Sequence, residues 1–132
     1  MGNIYSAQNV TAYVIYEFND AKEFLNACGI QQILADVNLM WHKVFGHSAF
    51  SEQTHDLKST GYTVKEIADE YKEHGSAHLI EPAKEWFLKY GEFQLVKRPY
   101  AVPNFTAKEE IILKRVLAAF RLQNFAFVNV AV

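Results

Sequence analysis

The sequence predicts an α+β domain dominated by helix, with about five helices around one core and a small antiparallel sheet. Three observations carry that prediction. Two capping boxes, Thr63-Val-Lys-Glu66 and Thr106-Ala-Lys-Glu109, each stand directly ahead of an apolar stripe of helical period. Two further apolar runs, from Val10 and from Ile30, repeat at spacings of three and four. Short segments rich in strand formers lie between and after them, most clearly Phe125 to Val132.

In chain order, Ser6 is placed to cap the first helix, whose inner face carries Val10, Tyr13, Val14, Phe18 and Ala21. Asp20-Ala-Lys-Glu23 reads as a second cap pair, so this helix is expected to break there, restart and end at Gly29. A second helix spans Ile30 to Phe45, with Ile33, Leu34, Val37, Met40, Trp41 and Val44 inward and Gly46 as its stop. Gln53 to Tyr62 is expected to be extended. The Thr63 capping box opens the next helix, which buries Val64, Ile67, Ala68 and Tyr71 and closes at Gly75. Glu81-Pro82 predicts a short helix through Trp86, Phe87 and Tyr90, with proline in its first turn. Glu92 to Lys97 alternates weakly and reads as a strand. The last helix begins at Thr106 and turns Ile112, Leu113, Val116, Leu117 and Phe120 inward. The tail from Phe125 to Val132 is expected as a strand, paired within the domain or held for a partner, with internal pairing favoured. The sheet would then draw on parts of 50–62, 92–98 and 125–132.

At 132 residues, half of them hydrophobic, the chain fits a single domain over residues 1–132. Ten Phe, seven Tyr and two Trp exclude a charge-solvated disordered chain. Fifteen acidic against thirteen basic residues give no electrostatic footprint for nucleic acid. Cys28 is the only cysteine and cannot form an internal disulfide. No run approaches the length of a membrane span, and the first residues lack the basic and apolar regions of a signal peptide. A soluble cytoplasmic domain is the expectation.

Few residue patterns in the sequence point to chemistry. His42 and His47 do not share a helical face, and His74 and His78 are separated by Gly75 and Ser76, where a helix should end. No His-Glu-x-x-His pattern, nucleophile elbow, phosphate loop or dinucleotide fingerprint occurs. Cys28 is expected at the end of a helix, where the macrodipole opposes a thiolate, and reads as a small buried hydrophobe. No enzyme and no cofactor is predicted. Glu66, Asp69, Glu70 and Glu73 instead fall on one outer helix face, either a solvated face or a docking patch for a basic protein partner. Tyr5, Tyr62, Tyr90 and Tyr100 fall at helix ends or loops, which favours a binding module over an enzyme.

The order of these features resembles the Panacea domain, a SocA-like, phage-associated antitoxin family. Tyr5-Ser6-Ala7 followed by Val10, Tyr13, Val14 and Ile15 is similar to that family's Tyr-Ser-Ala opening and first helix. Trp41-His42, Gly46 and Phe50 look like its Trp-His and Gly-x-Pro-Leu-Phe segment. The stretch from Thr60 to Gly75 resembles its Tyr-Gly-Pro-Val … Tyr-Lys-x-x-Gly segment in register, with Gly61-Tyr62-Thr63 in place of Gly-Pro-Val. Thr106 to Phe120 is similar to its late helix. The resemblance implies a non-enzymatic protein that neutralises a toxin by direct binding. Gly61, Tyr62, Glu66, Asp69, Glu70 and Glu73 are the expected partner contacts, on the Thr63 helix and the loop before it. The alternative partner is a host defence enzyme such as a CRISPR nuclease, inhibited by a phage protein. Neither reading involves direct nucleic-acid or membrane binding.

Overall fold

The computed structural model describes residues 2–89, 91 and 94–131. It is α+β and mainly helical, as the periodicity predicts, with α1 (Ala7–Asp20), α2 (Ala27–Phe45), α3 (Leu57–Thr60), α4 (Lys65–Tyr71), β1 (Lys84–Lys89), β2 (Gln94–Pro99) and α5 (Ala107–Ala131). Among the described residues no helix is long and apolar enough to cross a membrane.

Helix α1 starts where Ser6 Oγ accepts from the Gln8 amide at 3.2 Å. The Glu52 carboxylate adds a second cap, accepting from the Ala7 amide at 2.9 and 3.0 Å. The break at Asp20 occurs, but the restart does not end at Gly29. The chain turns through Lys22 at φ 56, and Asn26 then caps α2 by accepting from the Gly29 amide at 2.9 Å. Gly29 is therefore inside a first turn, and its lack of a Cβ has a packing reason: that atom would lie 3.0 Å from Phe120 on α5. Gly46 ends α2 in the left-handed region, as expected. Val44, expected inward, is exposed.

Residues 53–62 are not extended throughout. Asp56 caps the short α3 through the Lys58 amide, and Gly61 closes it at φ 82. The Thr63 capping box does not form either, because Gln31 takes the threonine. Gln31 Oε1 accepts from the Thr63 and Val64 amides at 2.6 and 3.1 Å, its Nε2 donates to Val64 O, and Thr63 Oγ1 donates to Gln31 O. A buried amide that can meet both a donor and an acceptor outcompetes a local cap, so α4 opens at Val64 without a side-chain cap. The Thr106 box is intact, with Thr106 N–H donating to Glu109 Oε1 at 2.8 Å and Glu109 N–H to Thr106 Oγ1 at 3.3 Å.

The expected 81–90 helix is instead β1, which pairs antiparallel with β2 from Lys84↔Pro99 to Lys89↔Gln94. Pro82 precedes the strand rather than opening a helix, and cross-strand partners such as Leu88↔Leu95 reward the extended form. Among the described residues the sheet has two strands, and β2, from Gln94, falls on the expected 92–98 segment; neither 50–62 nor 125–131 joins it. The tail continues α5 to Ala131, and Val132 lies outside the described residues. A helix already nucleated at Thr106 gains one hydrogen bond per added residue, which overrides the strand preference of Phe125 to Ala131.

Helix α2 is the hub, packing against α1, α3, α4 and α5. The core joins Val14, Ile15 and Phe18 of α1, Ile30, Ile33, Leu34, Val37 and Trp41 of α2, Ile67 and Tyr71 of α4, and the predicted α5 face. The N-terminal strap is tied across it. Tyr5 pairs with Ala49 and Ser51 through backbone bonds of 2.8 and 2.9 Å, and Trp41 Nε1 donates to Asn3 O at 3.0 Å. Glu109, fully buried, holds the strap to α5 by accepting from Tyr5 Oη at 2.6 Å and the Asn3 amide at 2.7 Å.

Candidate protein-binding surface

Helix α4 carries the predicted acidic residues outward. Glu66, Asp69 and Glu70 are exposed on α4, and Glu66 sits in the first turn, where the macrodipole favours a carboxylate. Glu73 is exposed too, but the α-helix has ended at Tyr71 and Glu73 lies in the 3-10 turn Lys72–His74. It extends the patch without continuing the helical stripe. Among the described residues none of the four carboxylates is in an ion pair. Gly61 and Tyr62 lie at the N-terminal approach to α4, with Tyr62 half-buried and edge-on to His55 at 5.2 Å. Gln31 fixes the next two residues, so this loop is set by the core.

The structure places a second surface beside the first. Buried Tyr71 accepts from the Ala83 amide at 2.8 Å through its hydroxyl, which clamps the foot of the β1–β2 hairpin onto α4. Burial pushes the Tyr71 phenol up to about 12, with Glu70 and Tyr100 adding to the rise against the Ala83 hydrogen bond. Burial also raises the Tyr100 phenol, and the nearby Glu70 and Glu85 charges raise it further. The acidic helix and the hairpin foot are thus electrostatic neighbours. Tyr100 N–H donates to Ala83 O and Asn9 Nδ2 to Ala101 O, completing the anchor.

Beyond its foot, one face of the hairpin is uncovered among the described residues. Strand alternation puts Lys84, Trp86 and Leu88 of β1 on one face with Leu95, Lys97 and Pro99 of β2. Trp86 is 64% exposed, Leu88 53% and Leu95 63%. Lys97 Nζ lies 5.2 Å from the centre of the Trp86 ring, an exposed cation–π contact. The opposite face is partly shielded, because the Arg98 guanidinium covers Phe87 at 3.9 Å while pairing with Glu85 at 3.1 Å. Isolated two-stranded sheets are marginal in water, and burying each such apolar side chain is worth roughly 1.5–3 kcal/mol. An uncovered Trp-Leu-Leu face is the pattern of an interaction site rather than of a core.

The histidines and Cys28 are spread over the fold. His78 accepts from the Leu25 amide at 2.9 Å and donates to Asn19 Oδ1 at 2.8 Å, which fixes the loop before α2. Both ring nitrogens of His47 face carbonyl oxygens, those of Ser48 and Gly2. His42 and His55 line an open groove of about 390 Å³ with Asp36, Asp56 and Lys58. Among the described residues no group of three or more His, Cys, Asp or Glu could hold a metal ion. Cys28, expected buried at a helix end, is exposed in the first turn of α2. The expectation failed because Asn26, not Gly29, marks that boundary. Of the interface tyrosines, Tyr5 is turned inward to Glu109, Tyr100 is at the hairpin foot, and Tyr90 lies outside the described residues.

No family model, curated protein or solved structure matches the chain. Of the hairpin, the sequence predicts the second strand but misses β1. Its signal is the run Trp86-Phe-Leu88, rich in strand formers, and the run Leu95-Val96 on either side of Gly91, which adopts φ 88.

Proposed function

We propose that this protein is an antitoxin-like, non-enzymatic binder that neutralises a toxin in the cytoplasm by direct contact. The observation that carries the reading is the exposed Trp86, Leu88 and Leu95 face of the hairpin, with the acidic α4 helix at its foot. The apolar face supplies the buried centre of an interface, where aromatic anchors hold most of the binding energy. The carboxylates of Glu66, Asp69, Glu70 and Glu73 supply a rim that attracts a basic partner and raises its rate of encounter. Neutralisation would follow from occlusion of the toxin's active or substrate surface. The resemblance of Tyr5 to Gly75 and of Thr106 to Phe120 to Panacea domains supports a toxin as the target.

The test is affinity capture of the tagged protein from its source cells, followed by co-expression with the captured partner. One stoichiometric toxic partner whose growth defect is rescued supports the reading. A nuclease or other defence enzyme in its place would replace it with the inhibitor reading. For that partner, Glu66→Lys with Glu70→Lys is expected to slow association about tenfold at low ionic strength, with little change in dissociation. The difference should shrink as salt screens it. Equal association rates at low salt would remove the acidic rim from the interface.

A further inference from the structure

Both ring nitrogens of His47 meet acceptors. Nδ1 lies 2.8 Å from Ser48 O, and Nε2 lies 2.9 Å from Gly2 O. A carbonyl oxygen offers no proton, and a neutral imidazole carries only one N–H. The two bonds therefore coexist only when the ring holds both protons. Its setting favours the extra charge. His47 follows Gly46 at the C-terminus of α2, where the macrodipole attracts a cation. The Phe45 ring stacks on it at 23°, with centroids 6.2 Å apart, and turns an electron-rich face to it. The opposing charges are Lys43 in the last turn of α2 and Lys108 of α5, whose Nζ lies 5.6 Å from the centre of Phe45. His42 would join them when charged. All three are exposed, so water screens their repulsion. Among the described residues no carboxylate is ion-paired with His47. Glu109 of α5 is taken up by the Asn3 amide, the Tyr5 hydroxyl and the Thr106 amide.

We propose that His47 is a proton-operated latch on the N-terminal strap, closed while the imidazole carries both protons and loosened when it loses one. The latch is independent of what the hairpin binds. It acts on Gly2, which is seated so closely on Phe45 that a Cβ there would overlap the ring. From Gly2 the strap runs to Asn3, whose carbonyl accepts from Trp41 Nε1 and whose amide donates to Glu109. Loss of the Gly2 bond frees one end of the segment seated on Trp41 and Phe45. Deprotonation then opens an apolar seat at the end of α2 to solvent. The sign is opposite to that of Glu109. The His47 contribution is complete while the ring is doubly protonated and is lost as pH rises and the second proton leaves. Histidine ordinarily makes that change between about pH 5 and pH 8. Glu109, with its lowered carboxyl, loses its own contribution as pH falls. Strap docking is therefore firmest on the acid side of neutrality and weaker at either extreme.

The experiment uses the full chain labelled with ¹⁵N. Hydrogen exchange at the Trp41 indole and the Asn3 amide is measured at about pH 5.5 and about pH 7.5, each relative to the free-chain rate. Protection at both sites is expected to fall about tenfold at the higher pH, the factor given by loss of one charge-assisted hydrogen bond. The Gly29 amide, capped by Asn26, is expected to keep its protection. His47→Gln cannot gain a charge and is expected to remove the pH dependence. His42→Gln, the control on the neighbouring exposed ring, is expected to keep it. The ring ¹⁵N shifts of wild-type His47 need no variant, and at the lower pH they should show both nitrogens protonated while the strap is protected. A neutral His47 ring beneath a protected strap would overturn the proposal. So would wild-type protection that does not change with pH, or the same fall in His47→Gln. Loss of the pH dependence in His42→Gln would overturn it as well, by moving the titration to α2.

Discussion

Glu109→Ala is expected to destabilise the protein by about 3–5 kcal/mol, because it strips the acceptor from several buried donors at once. The Asn3 amide, the Tyr5 hydroxyl and the Thr106 amide all point at this carboxylate. Total stabilities of domains this size are about 5–15 kcal/mol, so the variant should lose a large share of its urea midpoint. The loss should also release the strap that pairs Tyr5 with Ala49 and Ser51 and that accepts from Trp41. A urea midpoint within the spread of exposed-site variants would contradict the role given to Glu109.

The same carboxylate predicts a pH dependence of defined sign. Burial raises its pKa, but the hydrogen bonds from Tyr5, Asn3 and Thr106 outweigh that and hold it below 4.5. A folded pKa below the unfolded one means the contribution is complete above about pH 4.5 and is lost as pH falls through the folded value. Wild type should therefore lose stability on acidification more steeply than Glu109→Gln, which keeps a carbonyl acceptor and cannot titrate. Parallel acid limbs in the two proteins would show that Glu109 carries no such linkage.

Gln31→Ala is expected to cost about 3–4 kcal/mol, by leaving the Thr63 and Val64 amides and the Val64 carbonyl without partners in a buried position. Its effect reaches the candidate surface, since those bonds fix the chain as it enters α4. Hydrogen exchange at Thr63 and Val64 should rise with the drop in midpoint. Unchanged exchange at both amides would mean that α4 is held in place by Ile67 and Tyr71 alone.

What was legible in the sequence was local chemistry read at the right distance. The Ser6 cap, the Thr106 box, the Gly46 stop and the α5 face are all visible within a few residues of one another. The Thr63 box had the same letters and failed, since its real partner, Gln31, lies 32 residues away. Glu52 capping Ala7 from 45 residues away was equally invisible. Pro82 misled because proline suits both a helix start and the approach to a strand, and only the pairing with Gln94 to Pro99 decides between them. For the surface, the charges of Glu66, Asp69 and Glu70 were legible as an outward stripe. Trp86 and Leu88 were not, because exposure of an apolar strand depends on the absence of a covering element.

The hairpin face is proposed to bind the partner. The most direct measurement is growth rescue by Trp86→Glu when co-expressed with the captured toxic partner. Trp86 is exposed, so the substitution should change folding stability by only about 0.5 kcal/mol, and a thermal melt checks this. The expected result is a folded variant that no longer rescues growth while wild type does. Full rescue by folded Trp86→Glu would contradict it and place the interface elsewhere on the domain.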